Sequence, residues 1–155
     1  MGELRVPTRA ILVDVLVTTG AHISGSMYVP DSPNQNNDAD EVMHLLNDER
    51  SFVPLAVSGQ KGGPFVLSKA HIVRVRLPLL EGEALDRTSE SAPSDSSTST
   101  LLLVDGSVLE GTLAVVTPPH LSRLLDKLNA ADLFLSVVST EAIDFVQRSH
   151  VVHVS

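Results

Sequence analysis

The chain has 155 residues, 43% of them apolar but only 3% aromatic, with no Cys or Trp and a formal net charge of −8. Its core must therefore be aliphatic, and disulfides, thiol nucleophiles and cysteine metal sites are excluded. Eleven basic residues against nineteen acidic ones, with no basic run, argue against phosphate-backbone binding, and no apolar run approaches the ~18–20 residues of a membrane-spanning helix.

Nucleic acid and membrane are thus not expected partners. Met1 to Pro7 lack the charged-then-apolar order of a signal peptide, and Gly2 lacks the downstream Ser or Thr of a myristoylation signal. A cytoplasmic location is expected.

From Ala10 to Val17, Ile11, Val13, Val15 and Val17 alternate with Asp14 and its neighbours, the period of a strand. Leu12 and Leu16 fall on the Asp14 side, which predicts a partly covered second face. Thr19-Gly20-Ala21 supplies a turn, and Ile23, Gly25, Met27 and Val29 then share one face of a second strand. A short helix follows: Asp38 offers an N-cap with Glu41 three residues on, and Val42, Leu45 and Leu46 form its apolar stripe. Phe52 to Val57 predicts a strand held to an edge or a bulge, because Pro54 cannot donate to a ladder. The next strand is Ile72 to Leu77. Val73, Val75 and Leu77 lie on one face, and Arg74 and Arg76 on the other.

Residues 81–99 contain a Ser-rich centre with almost no apolar side chains, the composition of a flexible tether. Beyond it the pattern returns. Leu101 to Val104 predicts a strand, Asp105-Gly106 a tight hairpin turn, and Leu109, Gly111, Leu113 and Val115 an inward row. Thr117 and Pro118 open a helix with Leu121, Leu124, Leu125 and Leu128 on one side. Phe134 to Val138 and Val151 to Val154 complete the set.

The second series reproduces the first. Gly20 and Gly25 return as Gly106 and Gly111, Leu46-Asn47 as Leu128-Asn129, Phe52 as Phe134, and Lys69-Ala70-His71-Ile72-Val73 as Arg148-Ser149-His150-Val151-Val152. The separation is 86 residues at the glycines, 82 at the phenylalanines and 79 at the histidines, and it changes within turn-type segments. Loops tolerate such length changes and packed elements do not. The predicted architecture is α+β and β-dominated. Two ββαββ repeats, 8–80 and 100–155, are joined by the tether 81–99 and packed as a pseudo-two-fold pair of small, strongly bent sheets or barrels. The mid-strand glycines Gly25 and Gly111 predict a bend or a close backbone approach.

The histidines His71 and His150 are the candidates for chemistry. Each shares the parity of the apolar row after it, so each is expected at the start of a core-facing row. Two roles stand open: an imidazole that fixes a turn by a backbone hydrogen bond, or a paired ligand or proton site between the copies. His150 and His153 diverge on a strand and do not form a zinc chelate. The Gly59-Gln60-Lys61-Gly62-Gly63 segment lacks the spacing of a phosphate loop. The many serines lie in the tether or in turns, Ser24 and Ser26 lie on a strand, and the Gly-x-Ser-x-Gly motif is absent. Neither a metal nor a cofactor is expected, and an enzyme is not.

The run Gly20-x-x-Ile23-x-Gly25-x-Met27 resembles the first motif of Sm-like proteins, and Gly106-x-x-Leu109-x-Gly111-x-Leu113 follows the same pattern. Lys69 to Val73 is similar to the second motif, a short turn into a closing apolar strand. The resemblance implies a curled small barrel. It does not extend to RNA contact, because the Asp-x-x-Met-Asn segment and the basic-Gly element are missing and a helix replaces the long third strand. Leu46 to Leu55 is also similar to part of a small bacterial domain of uncharacterised function.

These features predict a non-enzymatic interaction, scaffold or adaptor protein. It would bind a protein partner, or a further copy of itself, through an edge strand or the outward face of Arg74 and Arg76. Two other readings are an Sm-like nucleic-acid binder and a small-ligand sensor between the copies near His71 and His150.

Overall fold

Ten strands and one helix make up the described part of the molecule. The structure, a computed structural model, describes residues 8–30, 37–57, 65–78, 98–113 and 133–155. In chain order the elements are β1 (Thr8–Val17), β2 (His22–Pro30), α1 (Asp38–Asn47), β3 (Phe52–Leu55), β4 (Phe65–Ser68), β5 (Ile72–Pro78), β6 (Thr98–Leu103), β7 (Val108–Leu113), β8 (Phe134–Val138), β9 (Ala142–Gln147) and β10 (Val151–Val154). Single 3₁₀ turns, Lys69–His71 and Arg148–His150, lead into β5 and β10. The helix expected from Thr117 onward lies outside the described residues, as does the tether up to Ser97. β6 begins at Thr98, and Ser99 is already buried within it.

Eight strands form one antiparallel sheet in the order β10-β6-β7-β8-β9-β5-β1-β2, and β3 pairs with β4 in a small second sheet. The β1–β2 hairpin matches Val15 with Ile23, Val13 with Gly25 and Ile11 with Met27. Its inward row follows the alternation of the sequence: Ile11, Val13, Val15, Met27 and Val29 are buried. The small sheet joins β2 through Ser26 and Ala56, whose N–H groups donate to each other's carbonyls at 2.8 and 3.0 Å. In the second half β7 passes directly to β8, with Thr112 opposite Val138.

Two strands depart from the ββαββ expectation. β4 is a run of only four residues, Phe65 to Ser68, behind a Gly- and Pro-rich segment. β9 shows no alternation because all six of its residues are buried. A strand covered on both faces loses the period-two signal. The helix start also differs by one residue: Asn37 is the N-cap, and its Oδ1 accepts from the Asp40 N–H at 2.9 Å.

The hydrogen bonds at the turns match in pairs. Gly20 N–H donates to Val17 O, and Gly106 N–H to Leu103 O, both at 2.9 Å. Thr18 N–H donates to His71 O at 2.9 Å, and Val104 N–H to His150 O at 3.0 Å. Lys69 N–H donates to Ser51 O, and Arg148 N–H to Leu133 O, both at 2.9 Å. Gly20 and Gly106 both take φ of 90°, a conformation that side chains other than glycine adopt at a cost.

The core has two centres. α1 covers the first, placing Val42 and Leu46 on Ile11, Val13, Val15, Met27, Val53 and Leu55. Phe134, Ile143 and Phe145 from the second half complete it. The other centre gathers Leu101, Leu103, Leu109, Leu113, Leu135, Val137 and Val146, together with Leu16 and Val73 from the first half. Each half thus supplies side chains to the other's core. Val73 reaches the second core because the β1–β5 register slips between Leu16 and Val17, which oppose Arg74 and Ile72.

A Cβ on Gly25 would lie 2.6 Å from Ala56 O, and one on Gly111 would lie 2.8 Å from Val138 O and 2.7 Å from Val137 Cγ1. A Cβ on Gly20 or Gly106 would meet nothing within 4 Å. Gly25→Ala and Gly111→Ala are therefore expected to destabilise by about 2–4 kcal/mol through overpacking against backbone. Gly20→Ala and Gly106→Ala should lose about 1–2 kcal/mol from backbone strain alone. Urea denaturation of the four variants checks this order.

Candidate interaction site

β5 and β9 meet at the centre of the large sheet, in a register that sets Val75 opposite Phe145 and Arg76 opposite Asp144. Asp144 is 1% exposed. A carboxylate at such a depth needs compensating charge. Arg76 supplies it in a fork, with Nε 2.8 Å from Oδ1 and Nη2 3.1 Å from Oδ2. Arg74, also buried, adds Nη1 at 3.3 Å from Oδ1. Donating to the Asp144 carboxylate raises the Arg76 pKa above its ordinary value. The face of Arg74 and Arg76, read from the sequence as an outward surface for a partner, is engaged inside the chain.

The histidines also sit differently from expectation. Both lie in the 3₁₀ turns, and His71 is exposed where a core-facing position was predicted. Its Nδ1 is 3.1 Å from Thr18 Oγ1. The Nε2 of His150, half-buried, lies 2.6 Å from Ala70 O, the carbonyl next to His71 in the chain. The two rings have different partners, and each residue's own carbonyl holds a turn. Among the described residues, no group of three or more His, Asp or Glu side chains is arranged to hold a metal ion.

Beside these turns is a buried polar cluster. Lys69 is 2% exposed, and its Nζ donates to Asp48 Oδ1 at 2.6 Å and to Asp48 O at 3.2 Å. Gln147 Nε2 donates to Lys69 O, and Ser149 Oγ donates to Gln147 Oε1. Asn47 Oδ1 accepts from the Phe134 N–H at 2.8 Å. These bonds tie the end of α1 and the first 3₁₀ turn to β8 and β9. Arg50 grips the other Asp48 oxygen, with Nε at 2.9 Å and Nη2 at 2.7 Å. The Arg50 hydrogen bonds first, and then the Lys69 ammonium, hold the Asp48 carboxyl far below the usual carboxylate range.

Neither Asp144 nor Gln147 is marked in the sequence reading, and Lys69 enters it only as part of the repeated segment before β5. One signal was present: Asp144 stands alone in the apolar run Ala142-Ile143-Asp144-Phe145-Val146. A single charge within a strand-length apolar segment marks a buried ion and implies counter-ions elsewhere.

The surface that remains open is at the strand edges. Among the described residues, β4 pairs with β3 on one side only, and β10 with β6 on one side only. On the small sheet, Phe52, Pro54 and Val66 share the outward face, since Pro54 opposes Val66. Phe52 is 56% and Val66 66% exposed, and Val152 on β10 is 58% exposed. No helix among the described residues is long and apolar enough to cross a membrane. No protein-family model matches the chain, and neither a curated protein nor a solved structure is significantly similar to it.

Two outcomes are expected of the charged clusters. Asp144→Ala should cost about 3–5 kcal/mol, since it leaves Arg74 buried without a counter-ion; chemical denaturation measures it. The depressed Asp48 pKa makes stability depend on pH. The contribution is fully present above the ordinary carboxylate pKa of about 4 and is lost as the pH falls below it. Asp48→Asn should flatten that acid-side slope and lower stability at neutral pH by on the order of 3 kcal/mol. Melting temperatures between about pH 3 and pH 7 check both parts.

Proposed function

We propose that this chain is a non-enzymatic protein-interaction module made of two tandem copies of one small β unit, and that it takes up protein partners along its unpaired strand edges. The observation that carries the reading is the small sheet. Its outward face holds Phe52, Pro54 and Val66, and its outer strand β4 has no neighbour on its second side among the described residues. An unpaired strand offers a row of N–H and C=O groups to another chain, and apolar side chains beside it add affinity.

Duplication is supported by the matched turn bonds, by glycines with equivalent close contacts, and by strand order. In the second half the order is β10-β6-β7-β8-β9. In the first it is β5-β1-β2, continued through the Ser26–Ala56 bridge to β3-β4. Each unit then has a closing strand, a hairpin and a second antiparallel pair, one strand more than the ββαββ read from the sequence. We replace the expected two-fold arrangement with a head-to-tail one. A two-fold axis would pair like strands, whereas the junction joins β5, which follows its 3₁₀ turn, to β9, which precedes its own.

The other two readings have less support. Arg9, Arg50, Lys69, Arg74 and Arg76 each pair with an aspartate of the same chain, so these cations already have partners within the chain and a nucleic-acid surface gains little from them. His71 and His150 have separate partners and do not converge on a common ligand position.

Affinity capture from a lysate of the source cells tests the proposal, with the wild-type chain and the variant Phe52→Ser/Val66→Lys as baits. The reading predicts polypeptides retained by the wild type and lost by the variant. It is overturned if the wild type retains neither another polypeptide nor a second copy of itself.

A further inference from the structure

Resting on the open-edge reading, we infer that the partner of this edge is a second copy of the same chain, with β10 of one molecule adding to β4 of the next. The argument starts from the junction already present inside the chain. In that junction a strand placed before its 3₁₀ turn, β9, pairs with a strand placed after the other, β5. By the spacing of the two turns, 79 residues apart at His71 and His150, β9 corresponds to β4 and β5 to β10. The two strands left open among the described residues, β4 and β10, are therefore counterparts of the two strands that join the halves, β9 and β5. One end carries the counterpart of β9, the other the counterpart of β5, so a second copy can dock by repeating a contact the chain already makes.

The register follows. Val75 opposite Phe145 becomes Val154 opposite Val66, flanked by His153 opposite Leu67 and Ser155 opposite Phe65. Backbone polarity agrees with it. In an antiparallel pair, residues alternate between those that bond to the partner strand and those that bond outward. Ala56 N–H bonds to Ser26, toward β2, so Pro54, two residues earlier, also faces away from β4. That is the one direction in which its missing N–H leaves the β3–β4 ladder whole. Val66, opposite Pro54, therefore turns its own N–H and C=O outward at the open edge. At the other end Ser155 and Thr100 exchange both backbone bonds at 2.9 Å. Val154, next along the strand, turns its N–H and C=O outward. Val66 and Val154 are thus both presented to accept the other.

The two junctions differ in strength. The counterpart of Asp144 is Phe65, and those of Arg74 and Arg76 are His153 and Ser155, so the contact between copies lacks the ion cluster. It relies on backbone pairing and on the exposed Phe65, Val66 and Val152. Association is weaker than the internal junction and reversible. Because the two edges are unlike, growth is head to tail and not limited to a pair by self-complementarity.

Val66→Lys and Val154→Lys place a charge on one edge each, a substitution that blocks strand addition. Val66 is 66% exposed, and thermal melting verifies that both variants stay folded. In sedimentation velocity from about 1 to about 300 μM, the wild-type weight-average mass should rise by about twofold or more, while each variant alone stays a monomer. A mixture of the two variants should recover a dimer and nothing larger, since only one compatible pair of edges remains. A wild-type chain that stays monomeric throughout overturns the inference. So does either variant associating by itself, because the contact would then pair like edges, and so does a mixture that stays monomeric although the wild type associates, because the two intact edges would then not recognise each other. A monomeric wild type that still captures a foreign polypeptide through the Val66 edge would remove this inference and leave the open-edge reading standing.

Discussion

The pairing of β5 with β9 is the contact on which the rest of the molecule depends. It fuses two stretches of sheet into one, and it does so with both strands covered on their two faces. The consequence is electrostatic as well as apolar. Asp144 on β9 lies too deep to be solvated, and Arg74 and Arg76 on β5 answer it. Such a cluster adds little net stability over well-packed hydrophobic residues, but breaking it from one side is costly. Its effect is to fix register, since a shift of one residue along β5 would carry both guanidinium groups to the wrong face.

The same logic extends to the second polar cluster. Lys69 is buried at the first 3₁₀ turn, held by Asp48 and capped by Gln147 from β9. The carbonyl of Ala70 meets His150. Each of these bonds crosses from one half to the other or anchors a residue that does. The apolar cores interlock likewise, with Phe134, Ile143 and Phe145 serving the first core and Leu16 and Val73 the second. A small β unit buries limited apolar area by itself. Sharing side chains across the junction raises that burial for both halves.

Much of the fold could be read from the chain, and the parts that could not have a common cause. Hairpins with one solvent-facing side, such as Ile11 to Val29 and Leu101 to Leu113, carry clear alternation, and Gly20 and Gly106 mark their turns. The strands β4 and β9 lack that signal: one is four residues long and the other is buried on both faces. Missing β9 meant missing the junction. Strand alternation alone places Arg74 and Arg76 toward solvent, and nothing local indicates that Asp144, some seventy residues away, meets them. Likewise the parity that set His71 toward the core ignored the bulge near Val73 and the 3₁₀ turn, both of which reset the face of the chain. Lys69 gave no sequence sign of burial, since lysine is among the residues least often buried without a partner.

The functional reading grows from what the junction leaves over. Pairing β5 with β9 satisfies one strand of each half and leaves the edges of β4 and β10 unpaired among the described residues, with Phe52, Val66 and Val152 beside them. Native proteins usually blunt such edges with charge, proline or a covering element; here Pro54 lies on β3, one strand in from the edge, and the edge residues are apolar. All of this requires the two halves to behave as one cooperative body joined at β5 and β9. Native-state hydrogen exchange measures that directly. The account predicts that the amides of Val75 and Phe145 exchange only through global unfolding, with the same opening free energy as the protected amides of β1 and β7. Opening of β9 or β5 at a clearly lower free energy, with either half remaining protected, would contradict it.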